Sequence, residues 1–467
     1  MTAPKLATIR PSARQIAWQA MEFYGFVHFG MNTMTNREWG EGHDDPALFD
    51  PTDLDADQWV AALKSAGMTG VILTCKHHDG FCLWRSDVTK YSVAASPYRG
   101  DVVAEVADAA RRHGMKFGIY LSPWDRTEAS YGSGTAYDDF YVAQLTELLT
   151  RYGPVFSVWL DGANGEGPNG KRQFYDWERY FAVVRELQPD AVISVCGPDV
   201  RWCGNEAGHT RPDEWSVVPR ALRSAERTSE RSQQADDGAF ARLVRSDDRD
   251  LGSRAALAGH EDDLVWYPAE VNTSIRPGWF HHPAEDTAVR DVDELFTIYL
   301  RAVGGNSCFL LNVPPGRDGR IPEVDVAVLT QLGQRIADFR ARRLHATVTV
   351  SSGAAGSVAT AWPGTGRASW RPNDTDRRPG VTLAFGQSHP VEAVVLGEDI
   401  RQGQRIEHVV VRGRHDGRWR VLAEACSVGY QRILTFPPAE VDAVLVEVLE
   451  ARDTPVVTRV AAIGAAS

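Results

Sequence analysis

From the first residues to Arg340, short apolar runs alternate with stretches whose apolar positions recur at helical spacing. Residues 23–30 (FYGFVHFG), 70–76 (GVILTCK), 116–122 (KFGIYLS), 155–160 (VFSVWL) and 191–196 (AVISVC) read as buried strands, rich in β-branched and aromatic side chains. Between them, 56–66, 101–113, 138–152 and 174–187 read as helices; in 101–113 the apolar positions are Val103, Val106, Ala107 and Ala110. The runs 264–267 and 307–313 supply later strands. Continuous apolar strands separated by helices imply βα units around a parallel sheet covered on both faces. A strand count approaching eight predicts an α/β fold built as a (β/α)8-like barrel. A doubly wound sheet is the rival, weakened because no Gly-rich dinucleotide fingerprint follows the first strand.

After Arg342 the helical periodicity stops. Segments 346–350, 391–396, 408–411 and 444–448 are strand-like, with turn signals such as HDG at 415–417 between them. A C-terminal β-sandwich is expected, giving a barrel over 1–342 and a sandwich over 343–467. A chain of 467 residues exceeds what one core organises, so two domains are also the expectation from length.

Composition narrows the partners. A formal net charge of −12 argues against a nucleic-acid partner, which would call for a basic patch. The arginines of 220–254 are nearly matched by acids, so that segment reads as a solvated excursion. No run approaches a membrane span, and the opening MTAPKLATIR lacks a signal-type apolar core. With six cysteines thinly spread and no CxxC pair, the expectation is reduced thiols in a cytoplasmic protein. Fourteen Trp is a high number, and indole faces suit sugar rings as well as cores.

In a barrel, polar residues at the C-terminal ends of strands line the site. Here His28 ends the first strand and His77, His78 and Asp79 the second. Trp124 and Asp125 follow the third, Trp159 and Asp161 end the fourth, and Glu206 follows the fifth. A carboxylate closing an apolar strand, as Asp161 does, is hard to justify by stability alone. Three chemistries could use this set. A metal hydrolase would take His28 with His77 or His78, but adjacent strand residues face opposite ways unless the strand breaks, and no HxH or HExxH spacing is present. Proton abstraction or aldol chemistry would need a strand-end lysine, for which Lys76 is the candidate. Glycoside hydrolysis by two carboxylates among aromatics and imidazoles fits best.

The motifs FVHFG (26–30), REWG (37–40), KHHDGF (76–81), VWLDG (158–162), PAEVNTSIRPGWF (268–280) and LLNVPPGRDGRI (310–321) make the chain resemble a glycoside hydrolase family 29 α-L-fucosidase over nearly its full length. GNEAG at 204–208 resembles the subgroup acting on α-1,3/1,4-linked fucose of Lewis-type branches. The resemblance implies a retaining double displacement on a fucosylated oligosaccharide, with no cofactor and no metal. Asp161 is the implied nucleophile and Glu206 the implied general acid/base. His28, Glu38, Trp39, His77, His78 and Trp159 are implied to hold the fucose hydroxyls, with Trp279 against its methyl-bearing face. Trp124 lines the pocket or closes the barrel top. Asp199, Glu214 and Glu166 rival Glu206 as the acid. Arg201 contacts the nucleophile or the aglycone, or is an ordinary surface residue. Trp362, Trp370 and Trp419 could stack on sugar or fill the sandwich core, where bracing of the barrel is favoured. The alternatives are a broader fucosidase that takes α-1,2 linkages and aryl fucosides, or an inactive carbohydrate-binding homologue.

Overall fold

A computed structural model of the chain describes residues 3–226, 228, 250–355, 358 and 369–466. Its strands run β1 Phe23–Val27, β2 Gly70–Lys76, β3 Lys116–Leu121, β4 Ser157–Leu160, β5 Val192–Val195, β6 Arg201–Trp202, β7 Val217–Pro219, β8 Leu264–Trp266, β9 Ala269–Ser274 and β10 Cys308–Asn312. Eight of them form one parallel sheet in the order β5-β4-β3-β2-β1-β10-β9-β6. A parallel bridge between Ser194 and Val200 draws β5 towards β6, so the sheet curls into a nearly closed barrel. This is the expected (β/α)8 architecture.

The covering helices follow from caps and stripes written in the sequence. Ala56–Ser65, Val102–Arg112, Trp177–Leu187 and Val292–Ala302 each begin on an aspartate whose carboxylate accepts a first-turn N–H: Asp55, Asp101, Asp176 and Asp291. The helix Val102–Arg112 buries Val102, Val103, Val106, Ala107, Ala109 and Ala110. That is the stripe the periodicity predicts, widened by the small alanines.

Two expectations need correction, and one connection departs from the βα repeat. The run 264–267 is not a barrel strand: β8 pairs antiparallel with β7 in a separate two-stranded sheet, and the barrel position belongs to β9, two residues further on. Pro268, between them, breaks the run. No helix separates β5 from β6; the chain turns through residues 196–200, with Asp199 bonded back to the Ile193 N–H at 2.8 Å. The helix expected from Phe174 starts at Trp177, leaving the Phe174 side chain 91% exposed in the preceding loop. Most of the arginine-rich 220–254 stretch lies outside the described residues.

The C-terminal strands are β11 Thr347–Val350, β12 Gly380–Glu398, β13 Ile406–His415, β14 Arg418–Ala425, β15 Arg432–Ala451 and β16 Val457–Gly464. They pair antiparallel in the order β11-β12-β15-β13-β14, with β16 on β12, and the long β12 and β15 are broken by bulges that let them fold over a common core. This is the expected β-sandwich. Trp370 fills that core, Trp419 is 40% exposed on β14, and Trp362 lies outside the described residues. Ala393, Val395, Ile433, Ala461 and Ile463 turn the other way and join the barrel's own core. Among the described residues, no helix is long and apolar enough to cross a membrane.

Helix packing predicts one sensitive position. Gly333 lies inside the helix Glu323–Ala341, and a Cβ there would sit 1.8 Å from the carbonyl oxygen of Ser65. Gly333→Ala is expected to lower stability by about 1–3 kcal/mol, because backbone rather than a movable side chain must give way. Chemical denaturation of the two proteins checks it, and an unchanged midpoint contradicts so close an approach.

Candidate active site

The inward faces of the strands stack in layers. Glu270 of β9 lies low in the barrel at 0% exposure, accepting from Trp159 Nε1 at 2.8 Å and from the Tyr24 hydroxyl, which itself accepts from Trp18 Nε1 at 2.8 Å. Burial raises the Glu270 carboxyl to about 7, opposed by the bonds from Tyr24 and Trp159. Trp159 therefore spends its N–H inside the barrel and offers only its ring, which stacks on Tyr120 with centroids 5.4 Å apart.

Above this layer the strand ends converge. Asp161, just past β4, is held on both oxygens: the Tyr120 hydroxyl donates to Oδ2 at 2.8 Å and the Ala163 N–H to Oδ1 at 2.8 Å. Burial, then the charge of Asp161, raises the Tyr120 phenol well above its ordinary value, so it stays a donor. His78 Nε2 lies 3.8 Å from Asp161 Oδ2. Its Nδ1 is 2.7 Å from Ser122 Oγ, and that hydroxyl gives its proton to the Trp124 carbonyl at 2.7 Å. Ser122 has no second proton, so Nδ1 of His78 must donate and Nε2 faces the pocket as an acceptor.

His77 and His78 sit on one side of the barrel mouth with ring centroids 4.0 Å apart. They share it because the strand breaks there: β2 ends at Lys76 and the chain turns at once, Gly80 N–H bonding back to the His77 carbonyl at 3.0 Å. The His77 ring stacks on Tyr120, 5.7 Å away. Lys76 is fully buried against Asp125 (2.8 Å) and Gln144 (2.9 Å), which leaves it no role as a nucleophile or base. Asp79 supports its own turn by accepting from the Phe81 N–H at 3.1 Å. Among the described residues, no group of three or more His, Cys, Asp or Glu side chains is arranged to hold a metal ion.

The third side of the site is a clasp around Trp279. Asn312, the last residue of β10, accepts from or donates to three neighbours. Its Oδ1 is 2.8 Å from His28 Nδ1, and its Nδ2 donates to Ser274 Oγ (2.9 Å) and to the Trp279 carbonyl (2.7 Å). Glu38 receives the Trp279 and Phe280 N–H groups at 2.9 and 3.0 Å, and lies 2.7 Å from His282 Nε2. Trp279 Nε1 then donates to Glu206 Oε2 at 3.1 Å, while its ring lies 5.1 Å from that of His28. Trp39 and Trp124 close the remaining edge, crossed at 83° with centroids 5.6 Å apart. Trp124 Nε1 donates to the Glu166 carbonyl at 3.0 Å, and a Cβ on Gly165 would lie 2.1 Å from the indole.

Hydrogen bonds and ring contacts thus link the ten predicted residues to one another, with Tyr120, Ser122, Asn312 and Glu270, which sequence reasoning missed, among the connecting groups. Tyr120 lies between buried apolar neighbours on β3, Ser122 directly follows that strand, and Asn312 ends an apolar run. A polar residue at the C-terminal end of a barrel strand was the available signal. The rival acids point elsewhere. Asp199 is matched by Arg185 and lies 3.9 Å from Arg14; Glu214 is gripped by Arg201 and Arg211; the Glu166 side chain is exposed. Arg201 is not an ordinary surface residue: at 5% exposure it is buried against Glu214.

The electrostatics separate the two carboxyls. Burial, and next the negative charge of Asp161, raises Glu206 to about 7; Glu38 adds to this, and the Trp279 N–H opposes it. Burial holds His28 and His78 down at about 4 and His77 well below its ordinary value, so the imidazoles are neutral at pH 7.

A family model described as Alpha-L-fucosidase matches residues 16–338. The chain is 39% identical to Alpha-L-fucosidase 1 of Arabidopsis thaliana, over 91% of this chain and 81% of the plant protein. A glycoside hydrolase 29 family member from an unknown rumen bacterium superimposes with a TM-score of 0.80 at 32% identity, covering 98% of this chain and 78% of that one. A Ruminococcus gnavus GH29 fucosidase, solved in complex with fucose, gives a TM-score of 0.84 at 28% identity, covering 98% and 95%.

Linkage makes the raised Glu206 testable without substrate. A carboxyl raised from 4.5 to about 7 resists ionising in the fold, so its contribution to stability is full below about 4.5 and is lost as pH rises through 7. Glu206→Gln lacks that loss and is expected to gain on the wild type between pH 5 and pH 8, by up to about 3 kcal/mol at ~1.4 kcal/mol per unit. Parallel denaturation profiles for the two proteins would contradict the shift.

Proposed function

The chain belongs to the alpha-L-fucosidase family, glycoside hydrolase family 29, and on that footing we propose that it removes α-1,3/1,4-linked fucose from Lewis-type branched glycans with retention of configuration. The observation that carries the mechanism is the asymmetry between Asp161, oriented by Tyr120 and the Ala163 N–H, and Glu206, whose proton is held to about 7. In the first step an Asp161 oxygen forms a bond to the anomeric carbon as the glycosidic bond breaks, and the Glu206 proton passes to the departing sugar oxygen. In the second, water attacks that carbon, its proton goes to Glu206, and the Asp161 ester is released as carboxylate. Both acids end as they began.

Neutral imidazoles suit this chemistry. A cationic histidine beside the ring would oppose the positive charge that grows there in the transition state, whereas a neutral one gives or takes a hydrogen bond. His28 has Nδ1 committed to Asn312 and His78 has Nδ1 committed to Ser122, so each turns Nε2 to the hollow as an acceptor for a sugar hydroxyl. Trp279 and Trp39 offer ring faces for the apolar side of the sugar. Glu38 contributes by fixing the Trp279 loop from below. The linkage assignment rests on GNEAG at 204–208, where Asn205 Oδ1 accepts from the Ala207 and His209 N–H groups at 3.1 and 3.0 Å and so presents Glu206 at the tip of a tight turn. The thiols of all six cysteines are unpaired, and we place the protein in a reducing, cytoplasmic setting on that ground.

Asp161→Ala is expected to lower kcat by several orders of magnitude, as loss of a covalent nucleophile does. Glu206→Ala is expected to spare substrates with good leaving groups and to recover with azide. Activity should fall as pH rises through about 7, where Glu206 loses the proton it must donate. A Lewis trisaccharide should be turned over at least as well as a nitrophenyl fucoside. Hydrolysis of the aryl fucoside alone would overturn the linkage, and full activity in Asp161→Ala would overturn the mechanism.

A further inference from the structure

The loop that carries Glu206 is fastened at its far end by the C-terminal domain. Residues 213–216 receive that domain directly. Asp213 Oδ1 accepts from the Cys426 N–H at 2.9 Å and lies 3.4 Å from Arg432 Nη2. The Glu214 carbonyl accepts from Ser427 Oγ at 3.2 Å and from Asn306 Nδ2 at 3.1 Å. The Ser216 N–H donates to Gln404 Oε1 at 2.8 Å, and Arg452 lies over the Trp215 ring at 4.3 Å.

From there a buried triad runs back towards the acid. The two oxygens of Glu214 are divided between the Arg201 and Arg211 guanidinium groups, the second at 3.0 Å. Arg211 Nη1 also donates to the Cys203 carbonyl at 3.1 Å, two residues before Asn205 closes the turn on Glu206. Exposure is 2% for Glu214, 5% for Arg201 and 8% for Arg211. Burial pushes the Glu214 carboxyl up, but the two arginines outweigh it and hold it below its ordinary value, so the triad is charged. Taking such a triad out of water contributes little or nothing to stability compared with apolar packing, and its best-attested use is to fix one register.

We infer that Arg211 and Glu214 are positioning residues for Glu206, and that the C-terminal domain, through Cys426, Ser427 and Arg432, is the anchor that holds them. This rests on Glu206 being the acid/base. It assigns the C-terminal domain a part in proton transfer beyond covering the barrel. The barrel strand β6, only two residues long, cannot steady the loop that follows it; the second domain supplies the missing support.

The test compares two fucosides, one with a dinitrophenol leaving group that departs without a proton and one with an alkyl alcohol that needs it. Arg211→Met is expected to lower kcat/KM on the alkyl fucoside on the order of tenfold to a hundredfold, part of the roughly 10²–10⁴ a placed general acid supplies, with far less change on the dinitrophenyl fucoside. Arg211→Lys should recover part of the loss. The milder double variant Ser427→Ala/Arg432→Met, outside the loop altogether, should show the same split to a smaller degree. Equal losses on both substrates, or no loss in the double variant, overturn the inference. Glu206→Ala separates the two ideas: if it splits the substrates and the positioning variants do not, the inference falls alone, and if it does not, the acid/base reading falls first.

Discussion

The constraint on which the rest depends is that two carboxyl groups lie near enough for the charge of one, Asp161, to act on the other, Glu206, which burial already disfavours as an anion. Both cannot be ionised there at low cost, because a second negative charge loses its hydration and meets the first. The structure resolves the conflict unequally. Asp161 receives two hydrogen bonds from groups that can only donate to it, while Glu206 receives one, from Trp279, and bears the field of Asp161 and Glu38. One carboxyl is thus fixed in place by two donors, and the other is disposed to keep its proton.

Holding that imbalance takes most of the barrel mouth. Tyr120 bonds the nucleophile directly, whereas Ser122 and Asn312 act through a neighbour, and each fixes an orientation that burial alone would leave open. Ser122 fixes the tautomer of His78, and Asn312 fixes both His28 and the Trp279 backbone. Beneath them, Glu270 ties Tyr24 and Trp159 together across the barrel, so the floor of the site is itself a polar bond network in an apolar shell. The second domain enters the same account from the side, through the Glu214 triad.

The parallel barrel was legible because its strands are continuous apolar runs and the stretches between them carry helical periodicity. What misled was short-range: the apolar run at 264–267 looks like its neighbours, and only Pro268 and the polar alternation Glu270, Asn272, Ser274 reveal that the barrel strand comes next. Asp161, Glu206 and the histidines were legible as polar residues in places where strands end. Tyr120 was hidden because a tyrosine in a buried strand is ordinary, and the link from Cys426–Arg432 to Asp213 was hidden because it joins positions more than two hundred residues apart. How His77 and His78 share a face was hidden for a local reason, the point at which β2 stops.

The most direct measurement is a ¹³C NMR titration of the Glu206 carboxyl in the wild type and in Asp161→Asn. The account predicts a titration near 7 in the wild type and a clear fall when the neighbouring charge is removed, with burial keeping it above the usual glutamate value. A Glu206 that titrates near 4.5, or one that does not respond to the loss of the Asp161 charge, would contradict it.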